Sequence, residues 1–403
     1  PPIPSRPIPG APPLESRLYV DGLNVGNPHG GNQPPHYVAD IGAAREVTFT
    51  TSGGLGESET AGLVMNVVPK YGGNTVSGMA YVSGFSEKMQ SDNWTPDLGI
   101  AVPVPNKKVY DATASVGGPI APNRVWYFAG ATRKGSTKNT ANLFFNENAG
   151  LADAWTYVPD LERPAYSDRT WEGINARLTV QATTRNRVSI FWDEQAICRK
   201  CTGATFESGS AVPTTSPEAE GVAAFKPQRV QQATWSSPWS SRLLFDAAFG
   251  TSIYQSGNAV RRNNQTRDLI RVTESAGTVM IPDNPATPGV DPIVVNNLTY
   301  RSQNWSHNDG AAITWRAAMS FVTGAHSVKV GYQGNWWKSD ITSYVNTQGL
   351  SYTLRNGLPT SFTMFISPFE VENRARSAAV FAQEQWTLGR LTLQGAVRYD
   401  HAW

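Results

Sequence analysis

The sequence holds two cysteines, Cys198 and Cys201, in the run Cys-Arg-Lys-Cys. A zinc site would need two further ligands, and the five histidines (His29, His36, His307, His326, His401) show no spacing that pairs with it. A thioredoxin-like redox role needs a strand–helix–strand frame with the pair at a helix start, and the flanking residues supply neither. The spacing therefore favours a local disulfide bracing a loop in an oxidising compartment, with metal binding or redox activity as the alternatives. No Gly-x-Ser-x-Gly elbow or His-Glu-x-x-His pair occurs. Gly53-Gly54-Leu55-Gly56 is glycine-rich but lacks the strand–helix context of a phosphate loop. The expectation is a protein without catalysis, cofactor or resident metal.

The elements around these residues alternate with a period of two. One face of the stretch from Trp171 to Ala182 carries Ile174, Ala176, Leu178, Val180 and Ala182, and the other Gly173, Asn175, Arg177, Thr179 and Gln181. The same split recurs at Leu243, Phe245, Ala247 and Phe249, at Ile313, Trp315, Ala317, Met319 and Phe321, and at Leu391, Leu393, Gly395, Val397 and Tyr399. Strict alternation marks strands with one apolar and one polar face, and about 9 to 13 residues suits a tilted strand crossing a bilayer. Strands are expected near 76–86, 108–118, 123–134, 171–183, 186–197, 228–237, 241–255, 309–322, 326–337, 375–387 and 390–402. Their connections alternate between short turns and long segments near 86–107, 135–170, 198–227, 256–308 and 338–374, so all long connections share one end. An up-and-down membrane barrel has that rhythm and a soluble sandwich does not.

Composition agrees. Lys+Arg 34 against Asp+Glu 32 leaves a net charge of +2, which offers nothing to nucleic acid. Charged residues are only 16% while Gly reaches 36 and Trp 13, a mixture suited to aromatic-rich β structure. A mean hydropathy of −0.35 and the lack of any apolar run near 18 residues exclude a spanning helix but not a spanning strand. Aromatics gather near strand ends, at Trp126-Tyr127-Phe128, Trp235, Trp239, Trp336-Trp337 and Trp386, as interfacial girdles do. Residues 1–75 differ: a Pro-rich start, then short segments broken by turn signals, consistent with a small separate domain.

The segments Val20-Asp21-Gly22-Leu23-Asn24-Val25, Asp40-Ile41-Gly42-Ala43-Ala44-Arg45-Glu46-Val47 and Thr51-Ser52-Gly53-Gly54-Leu55-Gly56-Glu57 come first in a characteristic order. Gly62-Leu63-Val64-Met65-Asn66-Val67-Val68-Pro69-Lys70-Tyr71-Gly72-Gly73-Asn74 follows, then Val116-Gly117-Gly118-Pro119-Ile120, Arg124-Val125-Trp126-Tyr127-Phe128 and Phe381-Ala382-Gln383-Glu384-Gln385-Trp386-Thr387. In this order they resemble TonB-dependent outer-membrane receptors of the Oar-like kind. The resemblance implies an all-β protein with a small α/β plug at 1–75, and at 76–403 the first half of an antiparallel up-and-down transmembrane barrel, about 11 of about 22 strands. It also implies a piece of a longer protein, because no signal peptide and no energy-coupling box precede the plug segment.

By the same resemblance, Asp21, Gly22, Arg45, Glu46, Gly54, Asn66, Pro69, Gly72 and Gly73 are plug-motif positions. Arg45 and Glu46 are expected to pair with lumen charges such as Arg177, Asp246, Arg316 or Arg398, or else to be solvated plug-surface charges. In the long connections Trp94, Trp155, Tyr157, Tyr254 and Trp305 are candidates for stacking on a solute, against the plainer reading of loop packing. The implied partners are outer-membrane lipid, a TonB-type periplasmic energy-coupling protein and an extracellular solute, with saccharides or peptides favoured, in the bacterial outer membrane. Two other readings use the same strands: a surface adhesin or scaffold anchored by the barrel, and a soluble carbohydrate-binding β-sandwich that packs its apolar faces together.

Overall fold

The computed structural model describes residues 16–26, 37, 39–51, 55–59, 62–91, 106–199, 214–259, 266–281 and 292–403. Near the N-terminus, β1 (Arg17–Val20) turns at Asp21 and Gly22, with φ of 49° and 75°, into β2 (Leu23–Asn24). Two successive left-handed residues make the tight turn whose twist matches a hairpin, and Asp-Gly is a pair that adopts it at low cost. β3 (Ala44–Thr50) and β4 (Val64–Pro69) complete a four-stranded sheet ordered β2-β1-β4-β3, in which β1 and β4 run parallel. Alternation decides which residues are buried: Leu18, Val20, Met65 and Val67 form one core with Val25 and Tyr37. The α component expected of this domain is absent among the described residues. Its helical pieces are the single 3₁₀ turns Ile41–Ala43 and Leu55–Glu57, too short to offset the cost of nucleating an α-helix.

Eleven strands follow in one antiparallel sheet. They are β5 (Ser77–Ser86), β6 (Asn106–Ala121), β7 (Val125–Asn146), β8 (Pro159–Gln181), β9 (Arg187–Arg199), β10 (Val222–Pro238) and β11 (Leu243–Ala259), then β14 (Trp305–Thr323), β15 (His326–Tyr344), β18 (Phe369–Leu388) and β19 (Leu391–Ala402). Their spatial order equals their chain order, and the sheet is a curved wall that does not close. Every strand expected from period two is present. The expected turn at 119–122 is displaced, because β6 runs through a bulge to Ala121 and the reversal falls at Pro122-Asn123-Arg124, where Asn123 takes φ 59°. The largest departure is length, since β7 and β8 reach 22 and 23 residues and continue well past the apolar band.

The faces separate as the alternation requires. Ile174, Leu178, Ile190, Phe249, Val380 and Val397 are exposed on the outer face, whereas Asn175, Arg177 and Thr179 are buried on the inner one. The apolar stripes therefore do not pack against a second sheet, which excludes the sandwich reading. Tyr127, Trp235, Trp239 and Trp386 lie near the short-turn end; Trp235 Nε1 donates to Asn186 Oδ1 at 3.0 Å, and Trp386 stacks on His326 at 5.5 Å. Trp126 and Phe128 point the other way: Trp126 Nε1 donates to Asn74 Oδ1, and Phe128 is buried.

At the opposite end, the long connections are not loops alone. β12 (Arg271–Ile281), β13 (Ile293–Tyr300), β16 (Leu350–Arg355) and β17 (Leu358–Met364) form a second sheet ordered β13-β12-β16-β17. Its core joins Val272, Met280, Val295 and Leu298 to Leu143, Phe144 and Ala165 from the extensions of β7 and β8. The Glu274 carboxylate accepts the backbone N–H of Ala276, Asn356 and Gly357 at 2.9–3.0 Å, pinning the Asn356-Gly357 turn of the β16–β17 hairpin.

Candidate functional site

The N-terminal sheet sits inside the curve of the wall, and their interface is where the motif residues meet. Phe191 and Val230 of the wall enter the core of the small sheet. Many of the other ties are polar. The Asp21 carboxylate pairs with Arg177, whose guanidinium also donates to Pro69 O at 3.3 Å and lies over Phe191. Arg316 presses on Gly22 so closely that an added Cβ would meet its guanidinium at 3.0–3.2 Å, and Gly22 is itself fixed by its N–H donating to Asn66 Oδ1 at 2.9 Å. Gln232 donates to Val20 O, Ser252 to Val25 O and Arg398 to Gly56 O, at 3.0–3.1 Å. Glu57 takes Lys329 at 2.7 Å and Gln383 at 3.2 Å. Asp40 lies 3.8 Å from Lys134, which is also held by Asp111 at 3.1 Å.

Gly72 carries the chain from the small sheet to the wall. A Cβ there would run into the carbonyl oxygens of Tyr127 and Gly118, so only glycine fits this close backbone approach. Gly73 meets nothing within 4 Å. Asn74 then accepts the N–H of Asn123 at 2.8 Å and caps the first wall turn. Gly54 lies outside the described residues.

The expected pairing of Arg45 and Glu46 with lumen charges is corrected by this geometry. Both are exposed on β3, and neither forms an ion pair with the wall among the described residues. Arg45 instead lies 4.6 Å over the Tyr71 ring, and the acids that reach the wall are Asp21, Glu57 and Asp40. Glu57 and Lys329 were not singled out from sequence, although Lys329 is the polar member between apolar Val328 and Val330 and so announces its inner face. Burial raises the carboxyls of Asp40 and Glu59 above their ordinary range, with Lys134 opposing the shift at Asp40 and Arg17 at Glu59.

A cavity of about 680 Å³ remains between the small sheet and the wall beside the short turns, lined among others by Tyr19, Tyr71, Arg177, Arg187, Asp246 and Arg316. At the far end, the stacking candidates are mostly structural. Tyr157 is buried and donates to Phe144 O at 2.7 Å; Trp305 is buried and stacked on Tyr344 at 5.8 Å. Tyr254 is half-buried, with its ring filling the space where Gly310 lacks a side chain. Trp155 keeps 39% exposure but has Tyr352 on its ring and the Arg301 guanidinium 3.8 Å from its centroid. Arg301, itself at φ 79°, donates to the carbonyls of Ala152, Ala154 and Ile270 and clamps the 135–170 and 256–308 connections together. Trp94 lies outside the described residues. Cys198 is disulfide-bonded at the end of β9; Cys201, the only other cysteine, lies outside the described residues.

No curated protein sequence matches the chain. Among solved structures it is similar to the outer membrane transporter YddB from Escherichia coli, at 13% identity and a TM-score of 0.62, covering 98% of this chain and 49% of that one. It is also similar to the ferripyoverdine receptor of the outer membrane of Pseudomonas aeruginosa (12% identity, TM-score 0.57, 96% and 46% covered). A third is the ferric enterobactin receptor PfeA of the same organism (12% identity, TM-score 0.55, 99% and 52% covered). The chain thus spans about half the length of these receptors and shares their fold. The family model described as outer membrane beta barrel domain matches residues 137–402, well over half of the sequence. With that match, an outer face of exposed apolar stripes and a small sheet lodged against the inner face, the chain belongs to the outer-membrane β-barrel domain family and resides in the bacterial outer membrane.

Proposed function

We propose that the chain forms the plug and the first part of the barrel of a TonB-dependent transporter. In this reading the long connections and the plug meet a scarce extracellular solute, and an energised periplasmic partner moves the plug to admit it. One observation carries the proposal: among the described residues the plug meets the wall largely through polar ties, Asp21 to Arg177, Glu57 to Lys329 and Gln232 to Val20 O, with Phe191 and Val230 added to its apolar core. Such an interface hydrates readily when pulled apart, unlike a dry core. An adhesin anchor has no use for a separable insert. A ferric chelate is the solute class carried in the names of similar receptors, whereas Tyr157 and Trp305, two of the five aromatics considered for stacking on a solute, are occupied by packing.

The test uses a reversible tether. A Cβ at Gly56 would lie 3.5 Å from that of Ala396, within the range a disulfide spans. In the full-length protein carrying Gly56→Cys and Ala396→Cys, uptake of an iron-55 chelate is expected to stop when the pair is oxidised and to return on reduction. Uptake that ignores the tether would remove plug movement from the mechanism.

A further inference from the structure

We infer that the outer face of the wall holds a site for a phospholipid with a primary ammonium headgroup, near the short-turn margin of the membrane and centred on Glu384. A carboxylate is out of place there. Along β18, Gln383 points inward and donates to Glu57 of the small sheet, so its neighbour Glu384 points outward, on the face of the exposed Val380 and Trp386. In register beside it stand Val328 of β15 and Gly395 of β19. Toward the turn the next outward pairs are Trp386 with Leu393 and Leu388 with Leu391; toward mid-strand the next is Ala382 with Val397. Apolar side chains thus flank Glu384 on both sides along the strands, and an ionisable group facing lipid is costly unless it is paired.

Its pairing is half complete. Oε1 meets Nδ1 of His326 at 2.5 Å, and Trp386 lies flat against that imidazole, with 5.5 Å between ring centroids and 11° between planes, which holds the carboxylate in place. No second group among the described residues bonds the carboxylate, and the Glu384 side chain keeps 48% exposure. A groove opens beside it, lined by Val328, Ala382, Trp386, Leu393 and Val397. Gly395 leaves that groove clear, since an added Cβ there would meet nothing within 4 Å. An acyl chain suits the apolar groove, and the ammonium of its headgroup supplies N–H donors to the free carboxylate oxygen beside the Trp386 ring. A choline headgroup has no N–H to donate, and an anionic one is repelled by Glu384. Short turns lie on the periplasmic side of outer-membrane barrels, which assigns the lipid to the periplasmic leaflet. The site is on the face opposite the plug, so it is independent of plug movement.

Native mass spectrometry of the full-length protein in detergent reads the site, given equal amounts of phosphatidylethanolamine and phosphatidylcholine with the same acyl chains. The wild type is expected to retain the ethanolamine lipid about tenfold over the choline lipid, the yield of one charge-assisted hydrogen bond, and Glu384→Gln to bring the two to parity. Glu172→Gln, which removes another exposed acid of the wall, 3.1 Å from Arg133, leaves the ratio unchanged. Gly395→Leu has room for its side chain and should lower retention of the ethanolamine lipid severalfold by filling the groove. Equal retention of the two lipids by the wild type, a preference that survives in Glu384→Gln, or retention untouched by Gly395→Leu overturns the site. Phosphatidylglycerol held as well as phosphatidylethanolamine assigns the contact to the phosphate and overturns the role of the ammonium.

Discussion

Asp21→Asn is the sharpest probe of how the N-terminal sheet, the plug of the proposed transporter, is held against the wall. Asparagine keeps the size, an acceptor oxygen and the tolerance for left-handed φ that this turn position requires, so the change removes mainly the charge. The side chains of Arg177 and Asp21 are 5% and 12% exposed, so water cannot replace the lost partner without opening the interface. Removing one member of a buried pair costs about 3–5 kcal/mol, and the acceptor that asparagine retains places this case near about 3 kcal/mol. At about 1.4 kcal/mol per decade, the equilibrium for local plug opening shifts on the order of a hundredfold. Hydrogen exchange of the full-length protein reads that shift as local opening of the turn beside the pair, at the amides of Asp21 and Gly22, which donate to Val67 O and to Asn66 Oδ1 within the small sheet. Arg177→Gln alone and combined with Asp21→Asn completes a cycle. A coupling energy within about 0.5 kcal/mol of zero means the two side chains act independently and refutes the lock.

The remaining expectations are shorter. Phe249, outward-facing and half exposed near mid-strand, should cost about 2–4 kcal/mol on substitution by arginine, read as barrel stability in denaturant, while Phe249→Leu stays within about 1.5 kcal/mol. Glu218, buried beneath Asn146 and Arg301, has its carboxyl raised chiefly by burial. A carboxyl held higher when folded than when unfolded binds more protons in the folded state, so local stability is greatest below the unfolded value and falls as pH climbs through the raised one. Glu218→Gln should therefore flatten the pH dependence of exchange in the outer sheet and stabilise it at neutral pH. Glu274→Gln weakens the carboxylate's hold on the β16–β17 turn and should destabilise that hairpin by about 1–3 kcal/mol, seen as faster exchange at Ala276, Asn356 and Gly357.

The number of wall strands, their order and their faces follow from the sequence by itself. Each depends on a local property: alternation along one strand chooses which side meets apolar surroundings, and a short polar turn forces the next strand to lie antiparallel beside it. Tertiary structure decided the rest. Arg177 and Asp21 are 156 residues apart, and which lumen charge stands level with the turn depends on strand tilt and on how deep the plug sits, quantities absent from any single strand. The β16–β17 hairpin lies in the 338–374 segment expected to be only a long connection, and the Glu274 carboxylate that holds its turn and the parallel pairing of β12 with β16 arise only when two long connections meet above the wall. Tyr157 and Trp305 read equally as ligand platforms or as packing, because an aromatic side chain is the same residue in both settings. Burial alone separates the two, and burial is a property of the assembled chain.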